Sequence, residues 1–154
     1  MAKRNNYSRN IGSVSCGTMR PEDLIPDFTW ELKQMKPLRR EHRQLIREIE
    51  HNMETVEDYF SSEDASIDLN EGLFDALDAY ALPYFGFGSH PGDGADYGFW
   101  LSESFPEEFD GLQVSDTADV PKGYTGEVLH VNDHGNMTLY VYSRGRGREL
   151  WAVV

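Results

Sequence analysis

At Pro83 the spacing of the apolar residues changes, and this change constrains the fold more than any other feature of the chain. Before it, apolar side chains recur every three or four positions, the spacing of one helix face. After it they fall into short runs rich in aromatic and β-branched residues, divided by Gly, Pro, Asp and Ser. Pro21 at a first helical position, Glu22 and Asp23 in the first turn, and Leu24, Phe28, Leu32 and Met35 behind them predict a helix over residues 21–35, with Pro26 as a point of bending. Pro37 opens a second helix striped by Leu38, His42, Leu45, Ile49, Met53, Val56 and Phe60. SSEDAS reads as a polar break, after which Asp68 or Asn70 caps a third helix carrying Leu69, Leu73, Phe74, Leu77 and Tyr80. YFGFG, YGFWLS, GEVLHV, MTLYVY and ELWAVV then read as strands. The expected fold class is α+β, with about three N-terminal helices followed by an antiparallel sheet of about five strands.

A chain of 154 residues, 39% hydrophobic, can bury one substantial core, so a single domain over residues 20–154 is expected. Residues 1–19 are polar, rich in Ser, Asn and Gly, and read as a flexible N-terminal arm. Cys16 is the one cysteine, which excludes an intrachain disulfide and a cysteine-based zinc cluster and fits a reducing cytoplasm. The basic start MAKRNNYSRN is not followed by an apolar run, and no stretch approaches the ~18 consecutive apolar residues of a membrane span. Neither standard secretion nor a membrane partner is therefore expected.

The formal net charge of -13 is unevenly distributed. From Glu48 to Pro121 there are 19 Asp or Glu and no Lys or Arg, whereas the 47 residues before hold ten basic side chains. Such a surface repels nucleic acid and draws basic protein surfaces. Direct nucleic-acid binding is accordingly not expected.

Two stretches hold candidate sites. HVNDHGN, from His130, sets two histidines and an aspartate between strands; Asp133, Gly135 and Asn136 suit a hairpin loop, and His130 and His134 need not converge on extended chain. A metal-dependent enzyme or small-ligand binder built on His130, Asp133 and His134 would need a further ligand such as His90, Asp93 or Asp96. SHPGDGADYGFW, from Ser89, lacks the ligand order of a calcium loop and reads as a glycine-rich connection between aromatic strands, half of whose rings face the core. Nucleophile-elbow, phosphate-loop and H-E-x-x-H patterns do not occur, and Cys16 has no base beside it in sequence. SRGRGR reads as a glycine-containing turn. No catalytic residue, metal or cofactor is assigned.

The C-terminal half, through GDGADYGFW, GYTGEVLHVNDHGNMTLYVY and RELWAVV, resembles a group of small, largely uncharacterised proteins carried by bacteriophages and prophages. SCGTMRPEDLIPDF also resembles segments of such proteins, and the helices-then-strands texture is faintly similar to SUKH-type binding and immunity modules. The resemblance implies an accessory protein acting in the bacterial cytoplasm and supplies no catalytic residues. With the acidic segment, it leads to an expected non-enzymatic binder that inhibits or redirects a host complex with a basic surface, in the manner of an anti-defence (anti-CRISPR-like) inhibitor of a nucleic-acid-handling machine. The expected contact residues are Asp93, Asp96, Tyr97, Trp100, Glu103, Glu107, Glu108 and His134. A SUKH-like immunity module and a homodimer formed through spare sheet-face aromatics are the other readings.

Overall fold

The computed structural model describes residues 10–154, which divide into two compact units, Asn10–Glu103 and Ser104–Val154. The first holds β1 (Gly12–Ser15), α1 (Pro21–Lys33), α2 (Arg40–Thr55), a 3-10 turn at Tyr59–Ser61, α3 (Glu63–Ile67), a π-helical turn at Asp68–Leu73, α4 (Phe74–Asp78), β2 (Phe85–His90) and β3 (Asp93–Leu101). The second holds β4 (Leu112–Val114), β5 (Gly126–Val131), β6 (Met137–Ser143) and β7 (Arg146–Val153).

Mixed α+β architecture is what the sequence predicted, but its finer layout needs correction. A strand precedes the helices, and the strands form two sheets, β1-β3-β2 and β4-β5-β6-β7, rather than one of about five. The second is not wholly antiparallel, since β4 runs parallel to β5. Within the expected arm, residues 1–9 lie outside the described residues, while Gly12–Ser15 pairs with β3 and Gly17 N–H donates to Ala95 O at 3.1 Å. The stretch expected to form one domain, residues 20–154, is shared between the two compact units.

In the first unit, α1 buries Leu24, Phe28 and Leu32, as its spacing predicted, together with Ile25, and continues through Pro26. Its last turn is tied to α2 by the Lys33–Glu50 ion pair. The third helical run begins earlier than expected, because Ser62 Oγ accepts from Ala65 N–H at 3.1 Å and caps α3. Asp68, expected as a cap, is interior to the run and accepts the Tyr59 hydroxyl proton. Phe28 meets Phe74, Phe87 and Tyr97 edge to face, with ring centroids 5.1–5.7 Å apart, and so joins α1, α4, β2 and β3 in one core. In the second unit Trp151, Leu129 and Leu139 are fully buried on one face of the sheet, and Phe105 packs edge-on against Trp151. No helix among the described residues is long and apolar enough to cross a membrane.

Pairing of β1 with β3 depends on Gly98. A Cβ there would lie 2.2 Å from Gly12 O and 2.8 Å from Ser13 Cα, both backbone atoms with little room to yield. Gly98→Ala should therefore cost about 2 kcal/mol or more. Gly94→Ala, whose Cβ would meet nothing within 4 Å, should change stability by less than about 0.5 kcal/mol. Urea denaturation of both variants measures the contrast.

Candidate functional site

The pleat of the β2–β3 hairpin separates its aromatic residues. Directly opposed residues share a face, so the Phe87–Phe99 pair turns inward with Tyr97, while the alternate set, Gly86 opposite Trp100 and Gly88 opposite Gly98, turns the other way. Tyr97 is accordingly a core residue, 8% exposed, and not the surface contact expected of it. Trp100 is half-buried, and its indole Nε1–H donates to Gly88 O at 3.0 Å, which fixes the ring across the hairpin. His90 packs against it at a centroid distance of 4.7 Å and an angle of 88°.

An open groove of about 540 Å³ follows β2, walled by Tyr84, Phe85, Trp100, Ser102 and Glu103. At Gly88 a Cβ would meet nothing within 4 Å, so the missing side chain leaves the groove deeper there. Tyr84, a non-glycine residue at φ 67°, turns the chain into β2, and its carbonyl accepts from Ser102 N–H at 2.8 Å. That backbone conformation is costly for an L-residue, about 1–2 kcal/mol. β2 is an edge strand of its sheet, yet two of its outward donors are taken: Phe85 N–H bonds to Leu82 O at 2.9 Å and Phe87 N–H to Asp78 Oδ1 at 3.0 Å. Asp78 of α4 thus blunts the edge against strand addition. What the groove offers a partner is aromatic surface and the exposed Glu103 carboxylate.

The remaining expected contacts are dispersed. Asp93 Oδ1 accepts from Ala95 N–H at 3.0 Å within the hairpin, and Asp96 Oδ1 accepts from the Ser13 hydroxyl and ties β3 to β1. Glu107, Glu108 and His134 are exposed in the other unit. The HVNDHGN turn is organised by Asn132, which the sequence reading did not single out. Its Oδ1 accepts from His134 N–H at 2.9 Å and from Asn136 N–H at 3.0 Å, with Gly135 at φ 79° closing the loop as expected. His130 bonds through Nε2 to Ser115 O at 3.1 Å, and Asp133 and His134 point to solvent at the tip. His90 belongs to the other unit, and among the described residues no group of three or more His, Cys, Asp or Glu is arranged to hold a metal ion.

Two part-buried polar contacts lie among the helices. Arg39 N–H donates to the Tyr80 hydroxyl at 2.9 Å, and the same hydroxyl is hydrogen-bonded to His42 Nδ1, also at 2.9 Å. Burial holds the His42 pKa below its ordinary 6.5, with Glu41 opposing and Arg39 adding in the same direction. Tyr59 is pushed well above the ordinary phenol value, first by burial and then by its bond to Asp68. Beside Tyr59 a smaller cleft of about 350 Å³ is lined by Met53, Val56 and Phe60, with Glu22 already paired to Arg20.

No family model, no curated protein and no solved structure matches this chain.

Asn132→Ala should lower stability by about 1 kcal/mol, because two backbone donors lose their acceptor, whereas Asp133→Ala and His134→Ala should each stay within about 0.5 kcal/mol; thermal denaturation of the three variants separates them. The His42 contribution has a defined sign. Its folded pKa lies below the unfolded 6.5, so this stabilisation is complete above pH 6.5 and is lost as pH falls through the lower folded value. Urea midpoints measured between about pH 7.5 and 5 should decline in the native chain and decline less in His42→Gln.

Proposed function

We propose that this protein acts by binding rather than by catalysis, docking through the Trp100 groove onto a basic surface of a bacterial host complex and inhibiting or redirecting it. The observation that carries this reading is the pinned, half-buried Trp100 beside Glu103, within a stretch from Glu48 to Pro121 that contains no Lys or Arg. An aromatic ring already held in one rotamer loses little entropy on docking, and such anchors dominate interface energies. Carboxylates around it attract a basic partner over roughly a Debye length, about 8–10 Å at ordinary salt. A phage-type anti-defence protein acting in the host cytoplasm on a nucleic-acid-handling machine fits this chemistry, since such machines present basic channels that an acidic protein can occupy.

Within this reading Trp100 and Glu103 form the centre of the contact, and Asp93 and Asp96 supply field at the hairpin end. The test is capture of host complexes from bacterial lysate on the immobilised full chain, eluted in salt steps and repeated with Trp100→Ala. A nucleic-acid-handling complex should be retained at low salt, released as salt rises, and retained about tenfold less by the variant. Retention indifferent to both salt and Trp100→Ala would sink the proposal.

A further inference from the structure

We infer that the groove along β2 is a receptor for a single guanidinium group, an arginine side chain carried on an extended segment of the partner. This inference rests on the groove being the docking surface proposed above and names the chemistry it selects. Three observations converge on it. Trp100 commits its only donor to Gly88 O, so the indole presents ring surface rather than a hydrogen-bonding N–H to an occupant. Glu103 lines the same groove, is exposed, and takes part in no ion pair among the described residues. No Lys or Arg occurs from residue 48 to residue 121 to compete for either group, and the His90 imidazole meets the Trp100 ring edge-on at 4.7 Å.

An aromatic face next to a carboxylate suits a cation, and a planar guanidinium suits it better than an ammonium. It stacks on the ring while its fork of donors reaches the carboxylate, and it is more weakly hydrated on entering the groove. At about 540 Å³ the groove can admit the whole side chain together with flanking backbone. Gly88 provides the depth, because the position where its Cβ would stand is open space. Strand addition is not the mode of entry, since Asp78 and Leu82 O already hold two of the edge donors of β2.

The test uses the full chain, labelled with nitrogen-15, and follows the indole N–H signals of Trp30, Trp100 and Trp151. The probes are an acetylated and amidated Gly-Arg-Gly peptide and its lysine and citrulline counterparts. The Trp100 signal is identified as the one lost in Trp100→Phe. The arginine peptide should shift it with a dissociation constant on the order of 1 mM, and the neutral, isosteric citrulline peptide should bind about tenfold more weakly. Glu103→Gln should weaken arginine binding roughly threefold and flatten its salt dependence. Gly88→Leu, which places a side chain in open space, should abolish the shift and leave the Trp30 and Trp151 signals in place. Should Gly88→Leu perturb those signals as well, Glu103→Lys, which keeps the Trp100 indole as reporter, serves as the second blocking variant, with the same loss of binding expected.

Equal binding of the citrulline peptide would overturn cation recognition while leaving the groove as a peptide site. Tighter binding of the lysine peptide would overturn the guanidinium assignment, and no shift with any peptide would overturn the receptor altogether. If the arginine peptide binds as expected but Gly88→Leu captures the host complex as well as the native chain does, the receptor stands and the docking role fails.

Discussion

The five rings of Phe28, Phe74, Phe87, Tyr97 and Phe99 are the contact on which the first unit depends. Phe28 is wholly buried and meets three of the others near perpendicular, the arrangement that ring quadrupoles favour, while Phe87 lies against Phe99 at 5.0 Å. Because these rings come from α1, α4, β2 and β3, the cluster fixes which face of the hairpin turns inward. A strand has only two faces. Once Phe87, Tyr97 and Phe99 are inward, the pleat leaves Gly86, Gly88, Gly98 and Trp100 on the other side. The groove is thus a consequence of the core: the residues between the aromatic ones are small, and the one large residue among them is Trp100.

Much of this was legible in the sequence where periodicity is local. The α1 stripe, the α2 stripe from His42 to Ile49, the strands β5 and β6 and the aromatic ends of β3 and β7 follow from spacing and turn residues, whereas Asp93–Asp96 and Arg146–Arg148, expected in a connection and a turn, extend β3 and β7. What was not legible depends on pairing between distant residues. GSVS carries no alternation of its own and becomes β1 only because Gly98 lets its backbone approach β3. LQV is three residues in an acidic stretch, and its parallel pairing with β5 comes from a connection whose geometry no local pattern encodes. Tertiary contact likewise overrode the expected cap of the third helix. Ser62 with Glu63 and Asp64 behind it is a helix-start signal masked by the polar composition of SSEDAS, while Asp68 accepts from the Tyr59 hydroxyl.

The candidate site shows the same division. Trp100 and Glu103 were recognisable as an aromatic residue with an acidic neighbour, but the sequence could not tell which of Tyr97 and Trp100 faces out; register decided that. The two histidines of HVNDHGN do not converge, as extended chain at that point implied. His130 is held by Ser115 O, and His134 stands at the tip of a loop organised by the Asn132 carboxamide. Asn132 was discoverable in principle, since an asparagine whose oxygen bonds the backbone two residues on is a recurrent turn device.

Charge and aromatic surface would contribute to recognition over different ranges, and this decides how a Trp100-centred site could work in salt. Acidic residues spread over the surface act at distances comparable to the Debye length and mainly raise encounter rates, so their effect fades as ionic strength rises. A cation seated between Trp100 and Glu103 is in van der Waals contact with a ring that excludes water from one side, and there screening is weak. Salt should therefore slow arrival more than it hastens departure. A site resting on the acidic surface alone would lose selectivity in the ionic strength of a cell, and one resting on the ring alone would not distinguish basic partners from apolar ones. Trp100 and Glu103 lining one groove would let both terms act on the same side chain of a basic partner.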